Sequence, residues 1–215
     1  GVLVHGDAKF IKLDHTFSHA SKIMEKLHYT GYVAAPAKTV KNTSNGEIVV
    51  SVGGGVTGFL LISTALSLAQ SSVGKNWRWR ILTGPNFPQT HKESFRSAPH
   101  IKIESLRHDF RALLAKATLS ISQAGYNTVM DIMVSGVRNV LVPFGRYGQT
   151  EQPLRAKVLA DRKMSVIVDE KVLNTETLCA AVRRALALEP PMISKLNVRG
   201  AINTARKIKD CLETP

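Results

Sequence analysis

The sequence predicts an α/β domain built on a doubly wound, mostly parallel sheet. Three observations carry that reading. From residue 48 onward, short apolar runs alternate about six times with segments of helical periodicity. Two glycine-bearing loops each lie between a strand-like run and a helix-like run. The chain has 215 residues and is 44% hydrophobic, enough for one large or two small domains with a real core.

Residues 2–6 (VLVHG) predict a short strand, and residues 14–27 a helix or irregular structure. Residues 29–37 (YTGYVAAPA) are small and turn-prone and read as a connector, and residues 38–47 are polar with an Asn45-Gly46 turn. Residues 48–52 (IVVSV) are β-branched and predict a buried strand that stops at three glycines. Apolar residues at helical spacing follow over 59–71. Strands are then predicted at 79–83, 100–103, 119–122, 139–142 and 165–168, with helices at 108–117, 128–134, 152–159 and 175–188. Residues 194–212 predict a basic amphipathic helix. Together these give a Rossmann-like order, and such a sheet binds ligands beyond the carboxyl ends of its strands, where both glycine loops fall.

The formal net charge of +13 suits an anionic partner such as a nucleotide diphosphate, an anionic membrane surface or nucleic acid. The basic residues are spread along the chain without aromatic interleaving or zinc-finger spacing, which argues against nucleic acid. No apolar run reaches the length needed to span a bilayer, and no signal peptide is visible. The start lacks Met and enters a strand-like run at once, so the chain reads as a piece of a longer protein. Cys179 and Cys211 lack metal-type spacing and read as free thiols in a reducing cytosol. His15 and His19 stand four apart, but no acid or Cys nearby completes a metal set, so no metal is expected. No GxSxG nucleophile elbow occurs.

Three loops hold the candidate chemistry. The first is Ser51-Val52-Gly53-Gly54-Gly55-Val56-Thr57-Gly58. Its glycines allow close backbone approach to phosphate oxygens, and the helix that follows offers free N–H donors; a plain tight turn is the competing reading. The second is Gln123-Ala124-Gly125-Tyr126-Asn127-Thr128, followed by Asp131. Thr128 is expected to cap a helix whose amides face a phosphate, with Asp131 one turn on to accept ribose hydroxyls; the alternative is a capping box that joins Asp131 to the backbone near Thr128. The third runs over residues 145–152 (GRYGQTEQ). Its amides and carboxylate, Gln149, Glu151 and Gln152, suit sugar hydroxyls, and Arg146 either pairs with a diphosphate or is a surface arginine. His108 either borders a base pocket or lies on the surface.

The order of these loops, with the stretches VLVHGD, YTGYV, SVGGG, SQAGYNTVMDI and the Gln/Glu loop, resembles the C-terminal, donor-binding domain of GT-B glycosyltransferases. Within that superfamily it is similar to the N-acetylglucosaminyltransferases of peptidoglycan lipid-intermediate synthesis and to a related bacterial group of predicted glycosyltransferases. The resemblance covers essentially the whole chain. It implies that the domain binds a nucleotide-sugar, usually a UDP-sugar, without a cofactor or metal. It implies Gly53, Gly54 and Gly55 near the diphosphate, and Ala124, Gly125, Asn127 and Thr128 bordering diphosphate and ribose. Asp131 falls where the family usually has a Glu that holds the ribose, one methylene longer. Glu151 and Gln152 fall where paired amides hold the donor sugar, and Glu departs from that pattern. Residues 106–109 would flank the base, with Arg107 unusual there. Arg146 and helix N-termini would offset charge on the departing diphosphate.

The same resemblance places the acceptor site and the catalytic base in an N-terminal domain, of which residues 1–33 would be the tail and connector. Residues 34–215 would be the donor domain, inactive alone. The acceptor is unknown, with a lipid-linked one and attachment to the inner face of the membrane as expectations for a cytoplasmic enzyme. Two alternatives stand beside this reading: a sugar-nucleotide epimerase of the same architecture, and a non-catalytic basic module for a membrane or polyanion.

Overall fold

A computed structural model describes residues 1–15, 17–34, 46–54, 57–93, 95–105, 107–146, 148–191 and 196–213. The chain packs as two compact units, Gly1–Lys38 with Met192–Pro215, and Thr39–Pro191. In the first, strand β1 (Val2–Val4) pairs in parallel with β2 (Leu27–Tyr29). Between them lie two 3-10 stretches, Leu13–His15 and Ala20–Lys26, where the sequence left helix or irregular structure open. β2 was not expected; the sequence placed part of it in a connector.

The second unit follows the predicted alternation. Strand β3 (Glu47–Ser51) leads through helix α1 (Phe59–Gln70) to β4 (Arg78–Leu82), then α2 (Gln89–Glu93) and β5 (Ile101–Glu104). Next come α3 (Phe110–Lys116), β6 (Leu119–Ser122), α4 (Tyr126–Ser135), β7 (Asn139–Leu141), α5 (Glu151–Asp161), β8 (Val166–Ile167) and α6 (Thr175–Leu186). The six strands are parallel in the order β5-β4-β3-β6-β7-β8. All of β3 and β6 is buried, because a parallel sheet is covered on both faces; β3 accordingly carries the apolar run Ile48-Val49-Val50, whereas β6 alternates Leu119 and Ile121 with the buried Ser120 and Ser122. Ile48 and Val50 pack with α1 and α6 on one face, where Leu61, Ile62, Leu178 and Val182 complete the core. α3 packs against α4. α2 is a single short turn that the sequence did not signal.

The chain winds outward from β3 to β5, then returns beside β3 and winds the other way from β6 to β8. The reversal falls between β3 and β6, where Ser51 stands opposite Ser122. A doubly wound sheet opens its ligand crevice at such a switch point.

Helix α7 (Gly200–Glu213) belongs with the first unit rather than with the sheet. Tyr32 N–H donates to the Asn197 carbonyl at 2.7 Å, Gly200 N–H donates to the Tyr32 carbonyl at 2.9 Å, and Asn203 Nδ2 donates to the Thr30 carbonyl at 2.8 Å. The backbones approach so closely that a Cβ on Gly200 would lie 2.4 Å from the Gly31 carbonyl oxygen. The sequence reading grouped residues 34–215 together, but these hydrogen bonds tie residues 197–203 to the N-terminal segment.

Candidate functional site

A cleft of about 220 Å³ opens at the switch point. Ser51 and Gly53 enter it from the end of β3 and the loop after it, Leu82 and Gly84 from the end of β4 and the loop after it, and Ser105 and Arg107 from the loop after β5. Phe110 of α3 and Asn127, Thr128 and Asp131 of α4 close it. The structure thus brings together Gly53 from the first loop, Asn127, Thr128 and Asp131 from the second, and Arg107 from the 106–109 segment, while no described residue of the third loop lines this cleft.

Gly53 holds a left-handed backbone with φ +57°, a region open to glycine and strained for other residues. Gly125, not Thr128, is the N-cap of α4, with an extended backbone (φ −60°, ψ 150°). Thr128 is therefore the third helical residue, because the loop turns into the helix earlier than the apolar periodicity suggests. A Cβ on Gly53 or on Gly125 would lie 3.9 or 4.0 Å from Thr128 Oγ1, so the two glycine loops meet around this hydroxyl. Gly125 has no side chain with which to cap α4, whose first-turn amides form the positive end of the helix. The Ser51 hydroxyl is buried and has no hydrogen-bond partner among the described residues. Gly54 lies beside the cleft, its carbonyl accepting from Asn86 N–H at 3.3 Å. Gly55 and Leu106 lie outside the described residues.

The charges around the cleft form a chain. Arg107 holds Asp109 in a bidentate grip at 2.7 and 2.6 Å and also reaches Glu104 at 3.3 Å. Glu104 receives Lys102 at 2.8 Å and Arg80 at 3.0 Å, and Arg80 reaches back to Glu47 at 2.9 Å. Burial pushes the Glu104 carboxyl up, but hydrogen bonds from Lys102, Arg80 and Arg107 outweigh it and leave the group below its ordinary value. Arg107 likewise holds the Asp109 carboxyl down, and hydrogen bonds to Asp109 and Glu104 raise its own guanidinium. The edges of Arg107 are thus engaged by carboxylates, leaving its planar face as the part suited to a base.

Asp131 does not form the capping box. Its Oδ1 accepts from Arg111 Nε at 2.9 Å and Nη2 at 2.5 Å. Sequence reasoning missed Arg111, and no local signal marks it: the two residues are twenty positions apart and meet because α3 packs on α4.

The Gln/Glu loop carries structure first. Gln152 Oε1 accepts from both Ala124 N–H, at 3.0 Å, and Phe144 N–H, at 3.1 Å. Arg155, 6% exposed, donates to the Ala124 carbonyl at 2.7 Å, pairs with Glu151 and lies over the Tyr126 ring. Both backbone groups of Ala124 are therefore engaged in anchoring the loop. Gln152 keeps Nε2 without a partner among the described residues. Arg146 is not brought to the cleft: it pairs with Glu170 at 2.8 Å beside a separate groove of about 560 Å³ floored by Pro143, Pro153 and Ile167. The carboxylate that follows β8 draws it away. His108 lines a shallow depression with Glu104 and Asp109 next to the cleft.

Among the described residues, no group of three His, Cys, Asp or Glu side chains is placed to hold a metal. No helix among them is long and apolar enough to cross a membrane.

Known proteins share this architecture. A glycotransferase of kitacinnamycin superposes with a TM-score of 0.67 at 15% identity, over 97% of this chain and 53% of that one. MurG of Acinetobacter baumannii gives 0.55 at 19% identity, over 84% and 56%. At such identities the likeness is one of fold. Among curated sequences, the UDP-N-acetylglucosamine--N-acetylmuramyl-(pentapeptide) pyrophosphoryl-undecaprenol N-acetylglucosamine transferase of Clostridium novyi is 23% identical over 207 residues, 95% of this chain and 57% of its own length. The enzyme of the same name from an Exiguobacterium species is 27% identical over 117 residues, 54% and 33%. The chain thus spans about half or less of these relatives. The model of the glycosyltransferase family 28 C-terminal domain matches residues 49–210, from the first strand of the sheet into the last helix, and the chain belongs to that family.

Proposed function

We propose that this chain is the donor-binding half of an inverting GT-B glycosyltransferase that takes a sugar from a nucleotide-sugar, a UDP-sugar in the first instance. The observation that carries the reading is the switch-point cleft that joins Gly53, the amide end of α4 and Asp131. Diphosphate oxygens would meet the α4 amides, the Thr128 hydroxyl and the orphaned Ser51 hydroxyl. Asp131 would accept ribose hydroxyls, and the Arg107 face would border the base. The donor sugar would extend toward Gln152 Nε2. In transfer, an acceptor hydroxyl attacks the anomeric carbon and gives its proton to a catalytic base outside this chain; the new C–O bond forms as the bond to the diphosphate breaks, and the nucleoside diphosphate leaves with the electron pair. Helix amides in the cleft stabilise that departing charge.

The names of the curated relatives support a UDP-N-acetylglucosamine donor and a lipid-linked acceptor, and with it a peripheral place at the cytoplasmic face of the membrane. Residues 1–33 are read as the tail and connector of a further domain, which would supply the acceptor site and the catalytic base. Calorimetric titration with UDP, UDP-sugars and other nucleotides tests the donor assignment. Dissociation constants in the range of about 1 μM to 1 mM are expected for UDP compounds, the usual range for enzyme substrates. A folded chain that binds no nucleotide would overturn it, and epimerised sugar formed without acceptor would move it to the epimerase class.

A further inference from the structure

Asp131 reaches the cleft from α4, and Arg111 reaches Asp131 from α3. Arg111 is not part of the cleft wall. Its Nε and Nη2 converge on one oxygen, Oδ1, at 2.9 and 2.5 Å. Oδ2 has no hydrogen-bond partner among the described residues. The pair is partly shielded, with side-chain exposures of 38% for Arg111 and 21% for Asp131. The terminal torsion of an aspartate is broad, so an unanchored carboxylate sweeps its oxygens over a wide arc. A guanidinium fork on one oxygen fixes the carboxylate plane and leaves the other oxygen as the acceptor for a ligand.

We propose that Arg111 is a positioning residue for nucleotide recognition: it sets Asp131 so that Oδ2 accepts the ribose 2′-hydroxyl, and it thereby makes the site selective for ribonucleotides over 2′-deoxyribonucleotides. The inference rests on the nucleotide-sugar reading above. A carboxylate in a doubly wound crevice commonly takes that hydroxyl. A hydrogen bond to a charged group is strong enough to discriminate only when its acceptor is already in place.

The test uses the full chain and matched pairs of ribo- and 2′-deoxyribonucleoside diphosphates of uridine, cytidine, adenosine and guanosine, titrated calorimetrically. The wild type is expected to prefer the ribo form by about tenfold or more, the worth of one charge-assisted hydrogen bond. Arg111→Ala is expected to pull that ratio to about threefold or less, because a freely turning carboxylate no longer presents Oδ2. Arg111→Lys, with a point charge instead of a fork, is expected to fall between them. Thermal melting checks each variant, and if Arg111→Ala does not fold, Arg111→Lys and Arg111→Gln carry the same ratio test. A ratio unchanged in folded variants, or equal weakening of both members of a pair, overturns the inference and leaves the nucleotide reading standing. A wild type that binds none of these compounds overturns both.

Discussion

Gln152 Oε1 accepts the backbone N–H of Ala124 at 3.0 Å, so the helix that follows β7 grips the loop that follows β6. The same oxygen accepts Phe144 N–H at 3.1 Å. One side chain therefore fixes two strand ends on the cleft side of the sheet, while its Nε2 has no hydrogen-bond partner among the described residues. Gln152→Ala strands two amides. The expected cost is about 1–3 kcal/mol, the range for leaving a buried polar group unsatisfied. Gln152→Glu keeps the acceptor and is expected to recover most of that stability while losing the Nε2 donors. Urea denaturation beside donor titration separates the two roles. If Gln152→Glu is as unstable as the alanine variant, the loop-bridging account is wrong.

Arg155 and Glu151 form an ion pair whose halves differ in worth. Arg155 is buried, donates to the Ala124 carbonyl and covers Tyr126, whereas the Glu151 side chain is 64% exposed. Arg155→Ala is expected to cost about 1–3 kcal/mol through the orphaned carbonyl, with lost packing added. Glu151→Ala is expected to cost under about 0.5 kcal/mol, because a solvent-facing partner is screened. Denaturation midpoints of the two variants decide it; equal losses would show that the ion pair, not the carbonyl contact, holds the loop.

Much of the sheet was legible because burial on both faces leaves unbroken β-branched runs, such as Ile48-Val49-Val50, bounded by glycine. β2 and α2 were not, since three- and five-residue elements carry too little periodicity. The position of the glycine loops was legible because chain order alone places them at the ends of β3 and β6. The side-chain partners were not. Arg111 on Asp131, Glu170 on Arg146 and Gln152 on Ala124 all arise from packing between elements twenty or more residues apart. The cap on α4 was misplaced by three residues because Thr128 is a good capping type, while Gly125 reaches the extended cap backbone first.

Glu104 ties the Arg107 loop to the sheet, and its charge should show in the pH dependence of stability. Lys102, Arg80 and Arg107 hold its folded carboxyl below the unfolded value despite its burial. A depressed carboxyl contributes stability that is full above the unfolded value and is lost as pH falls through the lower folded value. Urea midpoints taken from about pH 7 to about pH 3 should therefore fall on the acid side, and Glu104→Gln should fall less steeply because it has no proton to take up. At neutral pH the Gln variant should be the weaker protein, having lost the charge-assisted bonds to three cations. Parallel acid limbs for the two proteins would mean that other carboxylates govern the transition.

Gly53 offers the sharpest separation of folding from binding. Its φ of +57° makes any L side chain strained, by about 1–2 kcal/mol for one residue. There is nevertheless room for a methyl group, since the nearest atom to a Cβ there is Thr128 Oγ1 at 3.9 Å. Gly53→Ala should fold, with a stability loss confined to that backbone strain. The added methyl would stand between the β3 loop and the hydroxyl at the start of α4, where the diphosphate is expected to sit. Nucleotide affinity should therefore fall by about tenfold or more, beyond what the stability change explains, because a phosphate displaced from the α4 amides loses charge-assisted hydrogen bonds. Calorimetric titration of the variant well below its melting temperature reads this directly. Undiminished affinity in a folded Gly53→Ala chain would remove Gly53 from the phosphate site and shift the diphosphate toward the Ser105–Arg107 side of the cleft.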